Sequence, residues 1–74
     1  MKFAELKFDN VGCCDQHGAW AIVRHENGLR TEVHCNDDGT HRVVTFAGNV
    51  LIVGAQECAT KADVEGRLTA DAAR

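Results

Sequence analysis

Asn27-Gly28 stands between two runs in which apolar residues alternate with polar ones, and no other feature constrains the fold as tightly. A type I′ hairpin turn needs φ > 0 at both central residues, which Asn-Gly supplies at little cost. Asp38-Gly39 and Gly48-Asn49 follow at hairpin spacing, so residues 19–55 read as a four-strand antiparallel meander. Two-residue loops place Ile22 opposite Val33, Trp20 opposite Cys35 and Arg24 opposite Thr31. The next two turns place Val33 opposite Val44, Thr31 opposite Phe46, Val44 opposite Val53 and Phe46 opposite Leu51. One face then gathers Trp20, Ile22, Val33, Cys35, Val44, Phe46, Leu51 and Val53. Because side chains alternate with period two, a slip of one residue at a turn would undo this agreement.

Residues 2–9 predict an N-terminal strand with Ala4, Leu6 and Phe8 on one face and Phe3 on the other. Residues 9–18 form the irregular connection, bracketed by Gly12 and Gly18 and holding Cys13 and Cys14. Beyond the meander, Thr60 is a helix N-cap with Asp63 completing a capping box. The helix should run over 61–73 with Val64, Leu68 and Ala72 as its apolar stripe, leaving Lys61, Asp63, Glu65, Arg67, Thr69 and Asp71 solvated. Interior Gly66 costs about 1 kcal/mol relative to Ala. So thin a stripe cannot cover the sheet alone; the first strand and the loop, or a second copy of the chain, must help. The expected architecture is a single α+β domain over residues 1–74, an antiparallel four- to five-strand meander sheet with one C-terminal helix packed on the apolar face.

Composition excludes several function classes. Eight Lys and Arg are dispersed among eleven Asp and Glu, for a net charge of −3, with no Tyr and one Trp. Phosphate binding needs clustered cations and single-strand binding needs stacking aromatics, so no direct nucleic-acid role is expected. No apolar run reaches the length of a membrane span. The opening residues alternate charged with apolar side chains and lack the apolar core of a signal peptide, which predicts a cytoplasmic protein with reduced cysteines.

Four Cys and four His invite a zinc reading. Cys14 and His17 have ligand-like spacing, and His34, Cys35 and Cys58 are available to complete a site, which would make the chain a small zinc-stabilised structural domain. Small zinc modules usually carry two paired knuckles, whereas Cys35 and Cys58 are single, so the leading expectation is no cofactor. Adjacent Cys13 and Cys14 cannot form an ordinary disulfide with each other. A thiol-based enzyme or redox sensor would draw on Cys14, Asp15 and His17, or on His34 with Cys35. The latter two are consecutive on a strand and point to opposite faces. The chain therefore reads as non-enzymatic.

In the two-residue-loop register the outer face of the sheet mixes isolated apolar residues with charge. Val23, Arg30, Glu32, His34, Val43 and Ile52 form the expected partner-binding surface, flat and polar enough to stay soluble. A protein partner or a second copy of the chain is its expected occupant.

Met1-Lys2-Phe3, and Ala21-Ile22-Val23-Arg24-His25-Glu26-Asn27-Gly28 with the strand that follows, resemble the opening of certain small phage-encoded anti-CRISPR proteins. The resemblance covers the first half of the chain and departs from it in the cysteine-rich loop and at Val50 to Val53. It implies a compact α+β inhibitor from a phage or mobile element that binds a host defence complex, a type I surveillance complex. No binding residues carry over from it.

Overall fold

The computed structural model describes residues 2–8 and 20–74. A single 3-10 turn, Phe3–Glu5, precedes four strands, β1 (Trp20–Arg24), β2 (Leu29–Cys35), β3 (His41–Ala47) and β4 (Val50–Cys58), and one helix, α1 (Lys61–Ala72). The strands form an antiparallel sheet in the order β1-β2-β3-β4. This is the expected α+β meander with its C-terminal helix, in four strands among the described residues.

The register differs from the expected one at the first two turns. Ala21, not Ile22, lies opposite Val33, and Trp20 lies opposite His34. Val33 in turn lies opposite Val43 instead of Val44. Each loop has three residues. His25 N donates to Leu29 O at 2.8 Å and Gly28 N to His25 O at 3.1 Å, and the same pair of bonds recurs at Asn36 and Thr40. Only the last residue of each loop is left-handed, with φ of 89° at both Gly28 and Gly39. Asn27 keeps a negative φ. This is a type I turn closed by a glycine bulge, the three-residue alternative to the type I′ turn. At the third turn the two-residue loop holds, with Phe46 opposite Leu51, but two bulges then shift β4 so that Thr45 faces Val53 and Val43 faces Gln56.

One residue of shift exchanges the two faces of the sheet. Ala21, Thr31, Val33, Val43 and Thr45 are buried beneath α1, with Val23 packed at the margin of this core. Trp20, Ile22, Val44, Phe46 and Leu51, expected inside, alternate onto the opposite side. The helix thus packs on the face expected to be outer, because that face is lined with small and hydroxyl-bearing residues that its own buried surface requires.

That surface is Val64, Arg67, Leu68 and Asp71, spaced i, i+3, i+4, i+7. Arg67 and Asp71, expected in solvent, are 5% and 0% exposed. Asp71 Oδ2 accepts from the Thr31 and Thr45 hydroxyls at 2.7 and 2.5 Å, while Oδ1 faces Arg67 Nε at 3.3 Å and Arg74 Nε at 2.8 Å. Arg67 also donates to Thr45 Oγ1, Gln56 Oε1 and Val43 O. The helix starts as expected, with Thr60 Oγ1 accepting from Asp63 N and Asp63 accepting from Thr60 N. Its far end is held by Asn27, whose amide donates to the carbonyls of Asp71 and Ala72. Carbonyls of the last turn have no partner within a helix, so the hairpin tip acts as an external cap.

Residues 2–8 are not the expected strand. Glu5 N bonds back to Lys2 O and Leu6 N to Phe3 O, both at 3.0 Å, which tightens the chain into the turn. Phe3 N donates to Glu65 Oε2, docking this segment on α1, and Leu6 enters the core. Phe3 and Phe8 pack against each other and against the His41 ring, so they cover one end of the core without pairing as a strand.

Three tests follow from this packing. Val43→Asp should cost about 3–5 kcal/mol in urea unfolding, because it leaves an unpaired charge in a dry core. Gly66 is exposed and a Cβ there meets nothing within 4 Å, so Gly66→Ala should raise stability by about 0.5–1 kcal/mol. Burial alone would raise the Asp71 pKa, but the Thr31, Thr45 and Arg74 hydrogen bonds and the Arg67 charge outweigh it and hold the carboxyl below the usual carboxylate range. A carboxyl depressed in the folded state contributes stability that is complete above its unfolded pKa of about 3.9 and is lost as pH falls through the folded value. Urea midpoints measured from pH 7 down to pH 2 should fall across that acid window, less steeply in Asp71→Asn.

Candidate functional site

With α1 on one side, the other face of the sheet has no described element packed on it. Strand alternation brings Trp20, His34, Arg42 and Glu57 into one cross-strand row, and Arg24, Arg30, Phe46 and Leu51 into another. Ile22, Glu32 and Val44 lie between them. The Trp20 indole stacks on the His34 ring at 5.3 Å between centroids and 25° between planes. His34 Nε2 lies 3.3 Å from Glu32 Oε1, and Arg30 Nε donates to Glu32 Oε2 at 3.0 Å. Arg30 also donates to Gly48 O at 3.1 Å and lies over the Phe46 ring at 4.8 Å. One carboxylate therefore ties the Trp20–His34 stack and the Arg30–Phe46 cation–π pair together across three strands. Arg42 donates to Glu57 at 2.8 Å at the edge of this surface, and that hydrogen bond, aided by one from Asn36, holds the Glu57 carboxyl below its ordinary pKa.

Polar side chains are thus held in place while apolar ones stay open. Ile22 is 41% exposed and Leu51 53%, with Trp20, Val44 and Phe46 half-buried. Such a mixture of aromatic, aliphatic and Arg side chains is what the energetic centres of protein interfaces are made of.

Of the partner-binding residues expected from sequence, Arg30, Glu32 and His34 lie on this face. Ile52 is exposed in β4, where it is the extra residue of a bulge. Val43 is fully buried under α1 and Val23 packs against the core, so neither belongs to the exposed surface. Trp20, Ile22, Val44, Phe46 and Leu51 were missed as site residues because size alone sends them inward. The available signal was Arg67 and Asp71 sharing a helix stripe with Val64 and Leu68, which demands hydroxyl partners such as Thr31 and Thr45.

Cys14, Asp15 and His17 lie outside the described residues. Cys35 and Cys58 flank His41 in one cross-strand row. Two strand spacings, about 9–10 Å, separate their backbone positions. Among the described residues no three His, Cys, Asp or Glu side chains gather at metal-binding distance. Burial pushes both thiols above their ordinary pKa, opposite to the shift that activates a nucleophilic cysteine. A groove of ≈ 280 Å³ runs between Glu5–Lys7 and Ile22–Arg24, small for a ligand pocket. Among the described residues no helix is long and apolar enough to cross a membrane.

Trp20→Ala removes a half-buried stacked ring, losing about 0.5–1.5 kcal/mol of stacking beyond the area it buries, and should cost less in urea unfolding than truncation of a fully buried core residue. Leu68→Ala, a change of similar chemistry on the helix side, should cost about 2–5 kcal/mol. Equal losses would mean that the Trp20 face is as deeply packed as the core.

Searches with the chain and its fold match no protein-family model, no curated protein and no solved structure.

Proposed function

We propose that this protein is a non-enzymatic protein-binding module that docks its partner on the sheet face opposite α1. The observation that carries this reading is the Trp20–His34–Glu32–Arg30–Phe46 array, rigid through its own hydrogen bonds and stacking and flanked by exposed Ile22 and Leu51. Side chains already fixed in the free protein lose little entropy on binding, so more of the contact energy appears as affinity. The finer reading is an inhibitor from a phage or mobile element, acting in the cytoplasm on a host type I surveillance complex. It is supported by the resemblance of the opening residues to anti-CRISPR proteins.

The test is direct binding of a purified type I surveillance complex, alongside affinity capture from the source cell. Trp20→Ala and Arg30→Glu should each weaken binding at least 10-fold, about 1.4 kcal/mol, with unchanged circular dichroism. Thr69→Lys, on the exposed side of α1, should bind as wild type. Capture of the same partner by wild type and by the Trp20→Ala/Arg30→Glu double variant would remove the face from the reading. Failure to bind the type I complex while another protein is captured through this face would remove only the finer part.

A further inference from the structure

The face opposite α1 sorts charge as well as apolar surface. It carries Arg24, Arg30 and Arg42 against Glu32 and Glu57, an excess of one positive charge. The other described residues carry five Lys or Arg against seven Asp or Glu, so the open sheet face is the positive side of an acidic chain. Hydrogen bonding widens this bias beyond the count. Both oxygens of each carboxylate are engaged within the chain. Glu32 faces Arg30 at 3.0 Å and His34 at 3.3 Å, and Glu57 accepts from Arg42 at 2.8 Å and Asn36 at 2.7 Å. A guanidinium carries several N–H donors and no acceptor. Arg30 uses Nε on Glu32 and Nη1 on Gly48 O, and Arg42 uses only Nε. Arg24, exposed on β1, meets no acceptor among the described residues. The face therefore presents charged donors in excess, and its unmet demand is for acceptors.

Arg24 and Arg30 stand directly opposite each other on β1 and β2. Like charges in that position repel, and a carboxylate set between them would relieve the repulsion while accepting from both guanidinium forks. Phe46 and Leu51 continue the same row, and Ile22 precedes Arg24 by two residues on the same face of β1. We infer that the segment of the partner received on this face is acidic, with a carboxylate bound between Arg24 and Arg30 and apolar side chains resting on Ile22 and Leu51. This rests on the docking role of the face and adds the chemistry of what docks there. A protein segment fits better than nucleic acid. A strand of phosphates crossing the face would lie over Glu32 and Glu57 as well as the arginines, which are too few to offset that. A single carboxylate needs only Arg24 and Arg30.

NMR titration of the isotope-labelled chain tests it with three probes. They are a short acetylated peptide of Glu, Asp, Leu and Gly, the same peptide with Lys in place of its acids, and a single-stranded DNA oligonucleotide of equal length. The acidic peptide should shift the Arg24 and Arg30 Nε–H signals and the amides of Ile22 and Leu51. It should bind roughly 10-fold tighter than the Lys peptide or better, a difference that shrinks as salt rises from about 0.05 M to 0.5 M. Arg24→Glu should weaken its binding by roughly 10-fold or more, with unchanged circular dichroism. Lys61→Glu, the same change of net charge at the start of α1, should leave binding within about 2-fold. Equal binding of the acidic and Lys peptides, no shift of the arginine signals by either, or tighter binding of the DNA each overturns the proposal. Equal losses in Arg24→Glu and Lys61→Glu do so too, since net charge alone would then be read. A captured partner that binds wild type and Arg24→Glu alike also overturns it. The docking role is judged separately, by capture of a partner with wild type and not with the Trp20→Ala/Arg30→Glu variant.

Discussion

The ion pair between Arg67 and Asp71 is the interaction on which the rest of the molecule depends. Both groups lie in the dry space between helix and sheet, where an unpaired charge costs several kcal/mol. That cost is offset only because every side of the pair has a partner. Two threonine hydroxyls, the Gln56 amide oxygen, the Val43 carbonyl and Arg74 complete the shell. Val64 and Leu68 are the only large apolar side chains α1 buries, and they would fit against many apolar surfaces. The charged pair fits only where Thr31 and Thr45 stand side by side across β2 and β3. Hydrophobic contact holds the helix down, and the polar shell decides where.

Once the Thr-bearing face is committed to the helix, the remaining geometry follows. The first two turns must lengthen to three residues so that Ala21, Thr31, Val33, Val43 and Thr45 point the same way. Asn27 then has a task other than adopting a left-handed conformation, since its side-chain Nδ2 reaches the end of α1 while its Oδ1 accepts from Leu29 N. The turn that sets the register and the helix that needs it are tied together at the same residue. The larger side chains are left on the opposite face, where Glu32 joins the Trp20–His34 stack to the Arg30–Phe46 pair. An exposed apolar surface of this kind arises because packing the helix displaced the largest apolar residues into the open.

How much of this was legible differs from element to element. The three turns, the four strands of the meander and the start of α1 at Thr60 follow from local chemistry. Alternation marks strands, Gly supplies positive φ, and a Thr-x-x-Asp box satisfies orphan amides wherever it occurs. Arg30, Glu32 and His34 were legible as surface residues because adjacent polar positions on one strand face share a side in either register. Residues 2–8 misled, because Ala4, Leu6 and Phe8 alternate as a strand would. The contacts of Phe3 with Phe8 and of its amide with Glu65 are long-range, and no local pattern encodes them.

The sequence by itself determined the four strands of the meander, the C-terminal helix and their order, because each rests on interactions within a few residues of chain. Only the tertiary structure decided which sheet face would be covered. A two-residue and a three-residue loop both suit the Asn27-Gly28 and Asp38-Gly39 stretches, and they differ locally by little. The choice between them is made 40 residues away, by a carboxylate at Asp71 that needs the hydroxyl of Thr31.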